Sequence, residues 1–79
     1  MDEFQAIQRW KARGYEVMVY TTTYVEGNFY DGWICAICPP QEGGRIDHAN
    51  RVFAAALDVL DAIRGALIAA ARRWPEESR

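Results

Sequence analysis

The two cysteines and the single histidine of this 79-residue chain, Cys35, Cys38 and His48, are the side chains whose types and spacing invite redox or metal chemistry. A Cys-x-x-Cys pair works as a redox centre when its first thiolate lies at a helix N-terminus, where the dipole lowers its pKa, and the helix runs on past the second cysteine. Here Pro39 and Pro40 follow Cys38. A residue before proline is pushed to extended backbone, so no helix continues through the pair. The run WICAIC reads instead as a strand. In a strand, residues three apart point to opposite faces with Cα atoms about 10 Å apart at ~3.3 Å per residue, outside the roughly 4.4–6.8 Å that a disulfide spans. Cys35 and Cys38 are therefore expected to be two small buried thiols, each behaving as a hydrophobe. A closed zinc site takes four ligands and these residues supply three, so neither a metal nor any other cofactor is expected. The competing reading keeps Cys35, Cys38 and His48 as the centre of a small metal- or thiol-dependent protein, completed by two copies sharing their cysteines.

No other constellation suggests catalysis. The one serine, Ser78, sits in the C-terminal tail, and neither Asp31 nor Asp47 forms a recognisable acid–base pairing with His48. The glycine-rich PPQEGGR lacks the lysine and hydroxyl of a phosphate-binding loop and reads as a turn. Nine basic against eleven acidic residues, for a net charge of −2, give no global field to hold a polyanion. Arg64, Arg72 and Arg73 gather toward the end of the last helical stretch, where cations complement a helix dipole. They define a possible weak nucleic-acid contact. The aromatics Tyr20, Tyr24, Phe29, Tyr30 and Trp33 have no interleaved basic residues, however, so nucleic acid is not the expected partner. A non-enzymatic protein is expected.

The elements that must position these residues follow from periodicity. Asp2 and Glu3 start, and Lys11, Arg13 and Gly14 finish, a short amphipathic helix anchored by Phe4, Ile7 and Trp10. YEVMVYTTTYV is β-branched and aromatic, with Tyr15, Val17 and Val19 on one face and Met18, Tyr20 and Tyr24 on the other. Either Gly27-Asn28 or Asp31-Gly32 can turn it back into WICAIC, which ends at Pro39. Gly43-Gly44 offers a further turn into a short third strand around Arg45 to His48. Beyond it, Phe53, Ala56, Leu60, Ile63, Leu67, Ala70 and Trp74, with Val52, Val59 and Ala66 widening the stripe, trace one long helix, capped by Asp47 or Asn50 and stopped by Pro75, with residues 74–79 as a tail. The fold expected is a single α+β domain, α-β-β-(β)-α, with an antiparallel sheet packed on the long C-terminal helix. Its core would hold Val17, Val19, Trp33, Ile34, Ile37, Phe53, Ala56, Leu60, Ile63 and Leu67.

With 51% hydrophobic and 25% charged residues the chain is globular in composition, yet at 79 residues it buries only about 60% of its unfolded surface. Its N-terminus lacks the pattern of a secretory signal, no apolar run reaches the ~20 residues of a membrane span, and a soluble cytoplasmic protein is expected. Both strand faces are apolar, and two helices are few to cover them. A homodimer or a protein target is the expected partner, through Met18, Tyr20 and Tyr24 or through a small-residue surface of Ala62, Gly65, Ile68 and Ala69. In outline, a strand, a glycine turn, a strand ending in proline and an Ala- and Leu-rich helix, running roughly from Tyr15 to Leu67, resemble the HicB-like antitoxins. Small bacterial and phage proteins, including some phage-encoded inhibitors, share this outline. The family's glycine-cysteine and Thr-x-Glu-Glu-Ala features are missing here. The resemblance implies action by binding and blocking another protein.

Overall fold

Two helices and three strands follow one another as α1 (Glu3–Ala12), β1 (Glu16–Val25), β2 (Asn28–Cys38), β3 (Val52–Ala56) and α2 (Val59–Arg73), with 3-10 turns at Glu42–Gly44 and His48–Asn50 between β2 and β3. This computed structural model describes residues 2–25 and 28–75, with the backbone alone for 24, 25 and 28–30. The α+β class expected from the sequence is the one observed, a three-stranded antiparallel sheet in the order β1-β2-β3 with α2 packed on it.

Helix α1 begins and ends as its residues dictate. The Asp2 carboxylate accepts a hydrogen bond from the backbone N–H of Gln5 at 2.8 Å. At the other end, Gly14 at φ +93° closes the helix, with Gly14 N–H donating to the Lys11 carbonyl and Tyr15 N–H to the Trp10 carbonyl. These two bonds are the Schellman pattern, and the contact that accompanies it is the Tyr15 ring set edge-on to Trp10 at 4.8 Å. Trp74, the C-cap of α2, joins both rings, at 6.2 Å from Trp10 and 5.1 Å from Tyr15. Trp74 is thus packed against the end of α1 and the residue that leads into β1.

The strand register assigns the faces. Val17 pairs with Ile37 and Val19 with Cys35 across β1 and β2, while Ile37, Cys35 and Trp33 pair with Val52, Ala54 and Ala56 across β2 and β3. Directly opposed residues share a face. That inner face packs against Trp10 of α1 and against Ala62, Ala66 and Ala70 of α2 in one cluster, so both helices lie on the same side of the sheet. The opposite face carries the rows Met18–Ala36–Phe53 and Tyr20–Ile34–Ala55, and among the described residues no helix covers it.

Three expectations are corrected here. The third strand is Val52–Ala56, not Arg45 to His48, and α2 starts at Val59, with the Asp58 side chain accepting from Leu60 and Asp61 N–H. Asp47 caps the small 3-10 turn instead. Alanine is the best helix former, so VFAAA leading into an alanine-rich helix looks like its first turns; pairing with β2 overrides that preference. Second, the fully buried residues of α2 are Ala62, Ala66 and Ala70: Ala66 and Ala70 belong to the expected stripe, Ile63, Leu67 and Trp74 pack against the core as expected, and Ala62 replaces Leu60. Phe53, Leu60 and Val19, expected in the core, are 58%, 43% and 40% exposed, and Ile34 lies on the outer face. Third, Asp31-Gly32 is no turn: Gly32 pairs with Thr22 inside the hairpin. Of the alternative Gly27-Asn28, Gly27 lies outside the described residues, and Asn28 pairs with Val25.

Candidate functional site

Strand register and loop closure bring three donor groups together. Glu16 at the start of β1 and Cys38 at the end of β2 are paired partners on the outer face of the sheet. His48 comes to them from the 3-10 turn ten residues later. The loop that carries it is closed on itself by Gln41 N–H donating to the Arg45 carbonyl at 2.7 Å and by a bridge between Pro40 and Ile46, and returns to the end of β2 through Asp47 N–H donating to the Pro39 carbonyl at 2.9 Å. The turn itself is fixed from below. Asp47 Oδ1 accepts from the Ala49 and Asn50 N–H groups, Asn50 Nδ2 donates to Asp47 Oδ2 at 2.6 Å, and Arg51 Nη1 donates to the His48 carbonyl at 2.8 Å.

The result is a short line of groups. Cys38 Sγ lies 3.6 Å from His48 Nδ1, and His48 Nε2 lies 3.7 Å from Glu16 Oε1. One donor atom from each of the three residues falls within 4.8 Å of the others. Cys38 is fully enclosed, whereas the His48 and Glu16 side chains are 56% and 41% exposed. Burial, reinforced by the Glu16 charge, pushes the Cys38 thiol above its ordinary value, with Arg51 acting the other way. The hydrogen bond from the Asn50 side chain holds the Asp47 carboxyl below its ordinary range. An imidazole between a thiol and a carboxylate can in principle relay a proton from a nucleophile. Here the sulfur is inaccessible and its ionisation disfavoured, so the arrangement presents no thiolate to a substrate. Thiol, imidazole and carboxylate are together a donor set for a borderline divalent cation.

Beside this cluster the apolar outer face continues along the sheet. Tyr20 is 44% and Phe53 58% exposed; Met18, Ile34 and Ala55 are half-buried; and Ala36, opposite both Met18 and Phe53, is fully screened.

Of the residues singled out by sequence, Cys35 and Cys38 are split between the two faces as expected. Cys35 belongs to the core cluster, and its thiol is pushed up to about 11 by burial. Cys38 and His48 do meet, but the third member is Glu16, not Cys35. Its signal was its place: the strand register that sets Val17 against Ile37 sets Glu16 against Cys38. Met18 and Tyr20 lie on the open face; Tyr24 pairs with Phe29 beyond a register shift, described by its backbone alone. The proposed small-residue surface is corrected. Ala62 is fully buried in the core, and a Cβ added at Gly65 would sit 2.8 Å from the Ala54 Cβ, so these residues form the contact between α2 and the sheet. Ala69 is half-buried beside them. Ile68, 55% exposed, lines a hollow of about 240 Å³ with Leu67, Arg64, Asp2, Glu3 and Ala6 where α1 meets α2. Arg64 is not an open cation, since its Nε donates to Glu3 Oε2 at 2.9 Å and Asp61 lies at 3.8 Å. Arg72 and Arg73 are exposed, with the Arg73 guanidinium 5.6 Å from the Trp74 ring centre.

Among the described residues no helix is long and apolar enough to cross a membrane. No protein-family model, curated protein or solved structure matches the chain.

Proposed function

We propose that this protein is a non-enzymatic protein-binding module whose contact surface is the open face of its sheet, and that on its own it pairs there with a second copy of itself. The observation that carries the reading is the placement of both helices on one side, which leaves the Met18–Ala36–Phe53 and Tyr20–Ile34–Ala55 rows facing outward. Tyr20 and Phe53 are the large apolar side chains exposed there, and apolar surface gathered on one face marks interfaces. A two-fold pairing uses the same patch on both copies. The outline resemblance to HicB-like antitoxins implies binding and blocking of a second protein, and the same face is the surface we assign to it. Two buried thiols that cannot bridge each other suit a reducing, cytoplasmic setting.

Light scattering at micromolar concentration tests the reading. The wild type is expected at twice the 9.0 kDa chain mass, and Phe53→Glu or Tyr20→Glu at the chain mass with unchanged circular dichroism. A wild type that stays at 9.0 kDa at the highest soluble concentration would remove the self-association.

A further inference from the structure

We propose that Glu16, Cys38 and His48 form a three-ligand site for a zinc-class divalent metal ion, with a fourth coordination position open toward solvent. The first argument is geometric. Bonds of about 2.3 Å to sulfur and about 2.0–2.1 Å to nitrogen, at a tetrahedral angle, set the two ligand atoms about 3.6 Å apart. Cys38 Sγ and His48 Nδ1 stand 3.6 Å apart. The two atoms thus already stand at the separation of two ligands on one tetrahedral ion, with the exposed His48 side of the pair facing solvent. Glu16 has more to do. Its Oε1 now faces Nε2, the far side of the imidazole ring, and must swing toward the sulfur side to enter the same sphere. As a 41% exposed side chain at the mouth of β1 it has room for that rotation, and its Cα is held opposite that of Cys38 by the strand pairing.

The second argument is preorganisation. The backbone positions of Glu16 and Cys38 are fixed by one antiparallel pair, and that of His48 by a turn held by Asp47, Asn50 and Arg51, so only the Glu16 side chain has to move. Sites whose ligands are locked by such supporting bonds lose little entropy on binding. The third argument is charge. A divalent cation bound by one thiolate, one carboxylate and a neutral imidazole has no net charge, which suits an enclosed sulfur better than a bare thiolate does. Binding replaces the thiol proton by the metal and releases that proton to solvent. A fourth position left to water distinguishes this arrangement from a closed structural site of four protein ligands.

The test uses the full chain, stripped of metal and titrated with Co²⁺ as a spectroscopic substitute for Zn²⁺. Saturation at one cobalt per chain is expected, with thiolate-to-cobalt charge-transfer absorption and the visible bands of a tetrahedral ion, all displaced by Zn²⁺. Cys38→Ser should abolish the charge-transfer band, and His48→Gln should weaken Zn²⁺ binding by at least about 100-fold; Glu16→Gln should cost about 10- to 100-fold. Cys35→Ser should leave the spectrum intact. Melting curves with and without Zn²⁺ are expected to separate in the wild type and coincide in His48→Gln, whose exposed side chain leaves the fold undisturbed. No charge-transfer band in folded wild type, one cobalt per two chains, or a band that disappears in Cys35→Ser while surviving in Cys38→Ser would each overturn the site.

Discussion

Cys35 and Cys38 differ by three positions in sequence and by a whole sheet in environment. Cys35 sits among Trp10, Ile37 and the α2 alanines, and dehydration alone carries its thiol from 9.0 to about 11. An acid whose pKa is raised by folding binds its proton more tightly in the native state, so the stability it contributes is present below the unfolded value and is lost as pH climbs toward the folded one. Thermal midpoints should therefore decline as pH rises from 9.0 to about 11, and Cys35→Ala should show a lower midpoint at neutral pH but a shallower decline across that window. Identical slopes in the two proteins would remove this account. At neutral pH both cysteines should also resist alkylation relative to a free thiol, because the thiolate is the reacting species. The split of the pair was legible from Pro39 and the strand period. The company of Cys38 was not, since His48 reaches it only through a loop closed by Asp47, and a carboxylate turn of that kind has no spacing pattern that distinguishes it from a helix cap.

Small side chains decide how the elements meet. Gly65 faces Ala54, and Ala62, Ala66 and Ala70 line the same side of α2, so helix and sheet approach more closely than leucine-sized residues would permit. Gly65→Ala gains up to about 1 kcal/mol of helix propensity but drives a methyl group to 2.8 Å from the Ala54 Cβ, where neither backbone can yield freely. Overpacking of this sort costs about 1–3 kcal/mol, so a net loss of stability is expected in chemical denaturation, restored in part by Ala54→Gly in the same chain. A more stable single variant would mean that α2 rides higher on the sheet than the structure has it. This packing also explains which elements could be read in advance. Helix α1 announced itself by Asp2 and Gly14, and β1 and β2 by their β-branched runs. Strand β3 did not, because Ala54, Ala55 and Ala56 favour a helix locally and become a strand only through their partners Cys35, Ile34 and Trp33. The expected stripe on α2 holds for Ile63, Ala66, Leu67 and Ala70, but the closest approach to the sheet is made by small residues, with Ala62 buried in place of the expected Leu60.

Across the whole molecule, one helical layer on one sheet gives a thin body of 42 × 29 × 18 Å, with an accessible surface of 5525 Å². A compact monomer of 9.0 kDa is expected to expose about 4,900 Å². The hairpin beyond Trp33 has no β3 partner, and the open face leaves Tyr20 and Phe53 exposed. Residues of the buried core are few and small, with Ile37, Cys35 and Cys38 the largest that are completely enclosed. Stability in so small a core is marginal when the second face of the sheet stays wet. If two copies cover that face for each other, association favours the folded state by mass action, and the melting temperature becomes a function of chain concentration. The expected result is a midpoint that rises steadily over a hundredfold increase in wild-type concentration and stays flat for Phe53→Glu, which places a charge on the β3 side of the patch without touching the inner core. The Ile68 hollow between α1 and α2 supplies the control: Ile68→Glu lies on the other side of the sheet and should keep the wild-type concentration dependence. A flat wild-type midpoint would instead mean that Met18, Tyr20 and Phe53 await a different protein.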